Sequence, residues 1–156
     1  MALATRRRRR GERAQSVIEF AITAPFLIFL VLALMEVGNG VNSYLTVIAA
    51  ARDAARLGSQ QGNTQTALFN LVDKETARLP SELDTSTENC SGTGQGVCIL
   101  GLNDAGVAVP GECTYSGKHC IEVKVCYNHP MILGSPLLPD PIRICSKTRM
   151  RINDGS

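Results

Sequence analysis

The sequence predicts an α+β protein in which a long N-terminal helix crosses a membrane, continues outside it and packs on a small antiparallel β-sheet stabilised by disulfides. Three observations lead to this fold class: an uncharged apolar run over residues 20–35, helical spacing over residues 41–57, and six cysteines that all follow residue 89. A chain of 156 residues has room for one compact domain with an appendage.

The charges are divided unevenly along the chain. Residues 1–14 hold six arginines and one glutamate, a net charge of +5, whereas the remaining 142 residues hold 10 basic and 13 acidic side chains. Phosphate binding needs a basic surface on the folded part, so this balance argues against a nucleic-acid-binding body. The arginine run by itself also fits a nucleic-acid patch, but its place directly before an apolar run favours a signal for membrane topology.

The apolar run is long enough to span a bilayer. Sixteen residues from 20 to 35 carry no charge, and Thr23 is their only clearly polar side chain. With the flanking Val17, Ile18 and Val37 the segment reaches roughly 20 residues, the length of a transmembrane helix. Pro25 is tolerated in such a helix because neighbouring groups satisfy the carbonyl that it frees.

The basic residues before this run predict its orientation. The topology signal consists of Arg6, Arg7, Arg8, Arg9, Arg10 and Arg13. By the positive-inside rule, the N-terminus is cytoplasmic and the C-terminal domain is exported. A cleaved secretory signal is the alternative, but its apolar core usually has 7 to 15 residues, and no clear A-x-A site follows this longer run.

The helical pattern continues beyond the membrane. Apolar residues recur on one predicted face at Val41, Tyr44, Leu45, Ile48, Ala51 and Ala55. Gly38 and Gly40 lie at the junction, where they predict a flexible point. We expect the amphipathic part to pack against its own domain, against other subunits, or against both. The predicted segments are therefore a basic leader (1–14), a transmembrane helix (15–38), its amphipathic continuation (39–62) and an exported Cys-rich domain (63–156).

Glu19 stands at the head of the apolar run, where an ionised carboxylate is costly. One interpretation places it at the cytoplasmic headgroup boundary beside Arg13. The other gives it a partner and a function, as is usual for ionisable residues within membrane segments.

The surrounding residues resemble a known family. The basic leader through Arg13 is followed by Gln15-Ser16-Val17-Ile18-Glu19-Phe20-Ala21, Pro25, Glu36 and the stretch AAARDAARLG over residues 49–58. In this order they resemble the N-terminus of type IV prepilins, and most closely the TadE-like family of Tad/Flp pilus pseudopilins. The resemblance covers about a third of the chain, residues 10–58, and it implies a pilin-like fold.

The resemblance implies processing by a prepilin peptidase, an aspartyl protease of the bacterial inner membrane. The cut would fall between Ala14 and Gln15, which makes Glu19 the fifth residue of the mature chain. The family usually has glycine before the cut, where this chain has Ala14. The freed α-amine of Gln15 would lie four residues from Glu19 on one helical face. Pairing of the amine with the Glu19 carboxylate, with Phe20 beside them, would set the position of the subunit in a filament.

The function implied by the resemblance is that of a minor pilin or pseudopilin of a Tad-type pilus. It would help to initiate or cap the filament, which serves adhesion and surface colonisation. The implied partners are the peptidase, other Tad pilus subunits, the inner-membrane assembly platform and the lipid bilayer. The implied location is the bacterial inner membrane, with a single pass and a periplasmic C-terminal domain, or an extracellular pilus after assembly.

The exported part predicts one helix and a small sheet. A helix is expected from Thr64, as N-cap, to the residue before Pro80, with strands over 120–128 and 142–152 and a hairpin around residues 103–106. The acidic side chains of this part are expected on a solvated face, and its histidines, His119 and His129, at the surface.

The six cysteines predict disulfides on the oxidising side of the membrane. The candidates are Cys90, Cys98, Cys113, Cys120, Cys126 and Cys145. Fifteen pairings are possible, and the sequential one, 90–98, 113–120 and 126–145, is preferred here. Three bridges of about 2–4 kcal/mol each would support a region with few large core residues.

Two other classes of function remain open. Cys113, His119, Cys120, Cys126 and His129 include zinc-ligand types, but there is no C-x2-C pair, so no metal or other cofactor is expected. No catalytic motif is found, so an enzyme is not expected. A membrane-anchored binding domain that is never cut is the first alternative, and an anchored enzyme or metal protein is the second.

Overall fold

The computed structural model describes residues 2–60, 63–85, 94–103, 106–107, 109, 113–115, 118–131 and 141–152, without the side chains of residues 2–14, 115 and 118. The elements in chain order are α1 (Ala2–Gly58), α2 (Gln65–Thr76), β1 (Gly96–Leu100), β2 (Thr114–Tyr115), β3 (Lys118–His129) and β4 (Ile142–Arg151). A long apolar helix with an antiparallel sheet and disulfides confirms the predicted α+β class. The chain divides into two compact units, Met1–Gly38 and Asn39–Ser156.

The first unit contains a single helical segment, the N-terminal part of α1. Pro25 lies within α1, and the helix continues through it and through Gly38 and Gly40. Most of the apolar side chains in this segment are exposed, with Phe20 and Ile22 at 72%. Exposure on this scale requires a cover of lipid or protein.

The core of the second unit lies between helices and sheet. Its α1 residues are mostly small, which lets side chains of the sheet and of α2 lie close to the helix. The fully buried members of the core are Val47, Ala50, Ala51, Ala54 and Ala55 of α1, Leu68 and Val72 of α2, Val97 of β1, and Ile121, Val123, Val125 and Tyr127 of β3. Gly58 shows the close approach, since a Cβ built there would lie 2.1 Å from Ile121 Cδ1 and 2.8 Å from Leu68 Cδ2.

β3 is the central strand of the sheet. β1 pairs with its residues 122–126 and β4 with its residues 120–129, both antiparallel. Because the same stretch of β3 pairs with both, β1 and β4 lie at its opposite edges. The two-residue β2 pairs with Lys118 and His119. The predicted strands correspond to β3 and β4, while the short run that forms β1 gave no alternating pattern and was not predicted.

The helix α2 begins as predicted and ends earlier. Thr64 is its N-cap, and the Thr64 side chain accepts a hydrogen bond from the Ala67 amide at 3.3 Å. The helix ends at Thr76 instead of reaching Leu79, and the Thr76 hydroxyl donates to the Val72 carbonyl at 2.7 Å. The predicted turn around residues 103–106 is present in its described part, where the Gly106 amide donates to the Asn103 carbonyl at 2.9 Å.

Two disulfides follow the sequential pairing, Cys113–Cys120 and Cys126–Cys145. The second joins residues that face each other across β3 and β4, with Cα atoms 4.1 Å apart. Cys98 is also disulfide-bonded. Its predicted partner, Cys90, lies outside the described residues.

A buried polar contact joins α1 to β3. Ser43 Oγ lies 3.1 Å from His129 Nδ1, and the two residues are 0% and 3% exposed. The prediction of a surface position for His129 is wrong, because alternation along β3 places it on the inner face with Tyr127. Its Nε2 is buried and has no hydrogen-bond partner among the described residues.

Ser43→Ala is expected to destabilise the second unit by about 1–3 kcal/mol, since it leaves a second ring nitrogen of His129 buried without a partner. Denaturant unfolding of the full chain in detergent, followed by circular dichroism, measures this loss. Thr46→Ala is the control, because it removes only an exposed hydroxyl contact to the Asn42 carbonyl on the same helix. Equal stability of the two variants would contradict a structural role for the Ser43–His129 contact.

Removal of the two described disulfides is expected to cost unequal amounts. Chain entropy gives about 3 kcal/mol for Cys126–Cys145 and about 2 kcal/mol for Cys113–Cys120, because the first closes the longer loop. The sequence separations are 19 and 7 residues. Paired Cys→Ala replacements, compared by unfolding without reductant, measure the difference. A larger loss from the shorter bridge would show that strain or packing outweighs loop entropy.

Candidate functional site

Three polar residues lie four positions apart at the head of the exposed apolar segment. Gln15 Nε2 donates a hydrogen bond to Glu19 Oε1 at 3.0 Å, and Thr23 Oγ1 donates to the Glu19 backbone carbonyl at 2.8 Å. Residues at this spacing share one helical face. We call Gln15, Glu19 and Thr23 the polar ladder. The sequence pattern indicated the importance of Glu19 but not its side-chain contact with Gln15.

The polar ladder lies at the start of the candidate membrane span of α1. Among the described helices, α1 alone is long and apolar enough to cross a membrane. The candidate span is found within Gln15–Gly58. Among the described exposed large apolar side chains, all except Val107 lie on α1. Phe20, predicted to act in assembly beside Glu19, is fully part of this exposed surface. The side chains of Arg6, Arg7, Arg8, Arg9, Arg10, Arg13 and Ala14 lie outside the described residues.

Beyond the first unit, α1 is apolar on two faces. The face that packs against the sheet contains Ser43, Val47 and Ala50. The predicted apolar stripe is therefore only partly correct as a packing surface, because Val41, Tyr44 and Leu45 are 50–58% exposed. We call these three residues the outer apolar patch. Helical spacing identified residues that share a face. Because α1 has a second apolar face, spacing alone does not tell which of the two packs against the sheet.

The outer face of the sheet carries an ion pair that the sequence pattern did not indicate. Glu122 of β3 is 7% exposed, and its carboxylate binds Lys147 Nζ at 2.6 Å and also Arg149 Nε. The expectation of a solvated acidic face is wrong for Glu122. In the register of the sheet, Glu122 lies directly opposite Arg149, and Lys147 is two residues along the same strand.

Most of the residues considered for zinc have other partners. Cys113, Cys120 and Cys126 are in disulfides, and His129 contacts Ser43. Among the described residues no group of three or more histidine, cysteine or acidic side chains is placed to hold a metal ion.

Comparison with known proteins gives a family match. Residues 14–56 match the family model of the TadE-like protein. These residues, which we call the TadE-like segment, are similar to that family. No curated protein and no solved structure gave a significant match. The family match spans the polar ladder, the apolar run and the outer apolar patch.

The TadE-like segment ends before the sheet, so the match does not extend to Glu122. Burial raises the pKa of the Glu122 carboxyl, but hydrogen bonds and positive charge from Lys147 and Arg149 outweigh burial and hold the pKa below its usual value. A depressed folded-state pKa stabilises the fold above the unfolded-state pKa. That stability is lost as the pH falls through the folded-state pKa.

Glu122→Gln is therefore expected to destabilise the protein at pH 7, and the difference from the unsubstituted chain should shrink as the pH falls below about 4. The amide cannot carry the charge that pairs with Lys147 and Arg149. Denaturant unfolding at several pH values between 7 and 2 measures the difference. Glu75→Gln, an exposed carboxylate on α2, is the control and should show little change. A pH-independent difference would contradict this assignment.

Proposed function

We propose that this protein is a minor pilin or pseudopilin of a Tad-type pilus, cut by a prepilin peptidase between Ala14 and Gln15. It would help to initiate or cap the filament for adhesion and surface colonisation. The observation that carries the proposal is the polar ladder, which stands at the head of an exposed apolar helix within the TadE-like segment.

The ladder gives Glu19 a defined place on the helix. A carboxylate has two oxygens and about four lone-pair sites, so the single bond from Gln15 Nε2 leaves capacity for an amine. The cut would create that amine on Gln15, four residues away on the same face. In the apolar interior of a filament, an unpaired Glu19 would be costly, so pairing with its own or a neighbouring amine would favour one axial position.

Removal of residues 1–14 would also change the anchoring of the chain. The six arginines of the leader hold its end on the cytoplasmic side, with the second unit periplasmic. After the cut, that charge barrier to extraction is gone. The uncut protein would therefore stay in the inner membrane, and the cut protein would be free to enter a filament through the assembly platform.

The exposed apolar surface supports contact with other subunits. In the first unit it consists of apolar side chains of α1 from Val17 onward, and in the second unit it consists of the outer apolar patch. In the bilayer, lipid would cover the first part. In a filament, helices of other Tad subunits would cover both parts. The size of the Cys-rich second unit supports a minor role, because the major subunit of such pili is very short.

Processing is tested by intact mass and N-terminal sequencing of the protein from native membranes, with and without the peptidase. The expected mature chain starts at Gln15 only when the peptidase is present. Ala14→Gly should keep or raise the cut fraction, since it restores the residue that the family usually has there. An uncut chain in both strains would refute the processing step and leave a membrane-anchored binding domain as the function.

Assembly is tested separately by Glu19→Ala in a complementation assay of pilus output. Loss of the charge pair is expected to lower output to about a tenth or less, because an uncompensated buried amine costs several kcal/mol. Glu19→Gln should fail similarly, since it keeps the size but not the charge. Glu75→Ala on the exposed face of α2 is the control. Unchanged output with Glu19→Ala would show that Glu19 is only a boundary residue.

A further inference from the structure

The open edge of β4 and the charges along it point to a second binding surface. We infer that β4 takes up an extended strand of another protein, in which acidic residues alternate with apolar ones. This surface requires neither the cut before Gln15 nor Glu19, so it stands apart from the proposed function. The inference rests on the backbone groups of β4, its side chains, and the repulsion between two copies of it.

One backbone edge of β4 has no partner strand among the described residues. All ten of its residues pair with β3, and within the described ranges no strand pairs with its other edge. The Ile152 amide donates to the His119 carbonyl at 3.2 Å, which fixes the alternation of the ladder. Even-numbered residues of β4 therefore bond to β3, and odd-numbered residues direct their N–H and C=O groups outward.

The same odd-numbered residues bear the positive charges. Their side chains lie on the exposed outer face of the sheet, and they are Arg143, Cys145, Lys147, Arg149 and Arg151. Even while paired with Glu122, the side chains of Lys147 and Arg149 remain 48% and 49% exposed. We call these five residues the β4 edge. Among the described residues, Glu122 is the one carboxylate that pairs with these cations, and it binds two of the four, while Arg143 donates to the Gly94 carbonyl at 2.9 Å, so the edge keeps a net positive charge.

The other face of β4 is only partly covered. Ile144 and Met150 are partly buried hydrophobic residues packed against the core. An added strand would extend the sheet. Its apolar side chains would cover Ile144 and Met150 on one face, and its other side chains would meet the cations on the opposite face. Because side chains alternate along a strand, the matching segment has acidic residues at every second position and apolar residues between them.

A second copy of β4 does not meet this requirement. Any pairing that keeps the apolar faces together places odd-numbered residues opposite odd-numbered residues. Cations would then face cations, which is destabilising in a sheet. Cations on an edge strand protect natural proteins from self-association in this way. Glu122, which faces Arg149 from the β3 side, shows the pairing that an incoming carboxylate would repeat from the open side.

The experiment uses the full chain in detergent micelles and a fluorescent nine-residue peptide of alternating glutamate and valine. Fluorescence anisotropy measures binding, and a peptide of alternating lysine and valine is the matched control. We expect saturable binding of the glutamate peptide and none of the lysine peptide. No binding of the glutamate peptide, or equal binding of both peptides, would overturn the inference.

A pair of variants separates strand addition from simple charge attraction. Lys147→Ala removes a charge and should weaken binding about twofold to fivefold. Lys147→Pro also removes the outward N–H, which β3 does not use, and should weaken binding at least about tenfold relative to Lys147→Ala. Equal affinities of the two variants would overturn strand addition and indicate attraction to the charged face alone.

Amide hydrogen exchange on the unsubstituted chain gives a readout that does not depend on variant folding. In the free protein, the outward amides of the β4 edge should exchange faster than those of the even-numbered residues. The glutamate peptide should slow exchange at the β4 edge by at least about tenfold while leaving the even-numbered amides little changed. Binding without this protection would also overturn the inference.

Discussion

Packing of the small side chains of α1 against the inner face of β3 is the contact on which the second unit depends. Ala50, Ala51, Ala54 and Ala55 are fully buried, and they permit the close approach that Gly58 continues at the helix end. β3 in turn holds β1 at one edge and β4 at the other. A larger side chain on this face of α1 would displace the strand that positions both neighbours.

The two faces of the sheet are stabilised by different means. On the inner face, the apolar residues of β3 are buried by helices, and hydrogen bonds of His129 with Ser43 and of the Tyr127 hydroxyl with Ser81 add directional constraints. On the outer face, no described helix covers the sheet, and a disulfide and the Glu122 ion pair join β3 to β4. Both links fall on directly opposed or adjacent residues, so each favours the observed register over a slipped one.

Much of the fold could be predicted because its signals are local. Length and hydropathy indicated α1, alternation indicated β3 and β4, and the sequential order of cysteines gave the two described bridges. The resemblance at residues 10–58 anticipated the TadE-like match at 14–56. These features depend on spacing along the chain, which a sequence displays directly.

The errors concern faces and partners that spacing does not determine. α1 is apolar on more than one side, so periodicity could not decide whether the face of Val41 or that of Val47 meets the sheet. Ser43 and His129 are 86 positions apart, and their contact depends on tertiary packing. Glu122 is buried because β4 brings two cations to it, and neither cation is near it in sequence. Glu19 was singled out from the sequence, whereas the hydrogen bond that it accepts from Gln15 depends on side-chain conformations that spacing does not give.

The Cys126–Cys145 bridge also determines how the sheet would respond to mechanical load. A pull on the chain beyond β4 would separate this end of the sheet one residue pair at a time, starting at Ile152 and His119 and then Arg151 and Cys120. Such peeling could proceed through Ser146 and Val125, but the covalent link at the next pair would stop it. Under tension the domain would therefore lengthen by a limited amount and keep the remainder of β4 attached. In a subunit at a filament end, this would act as a built-in limit on extension.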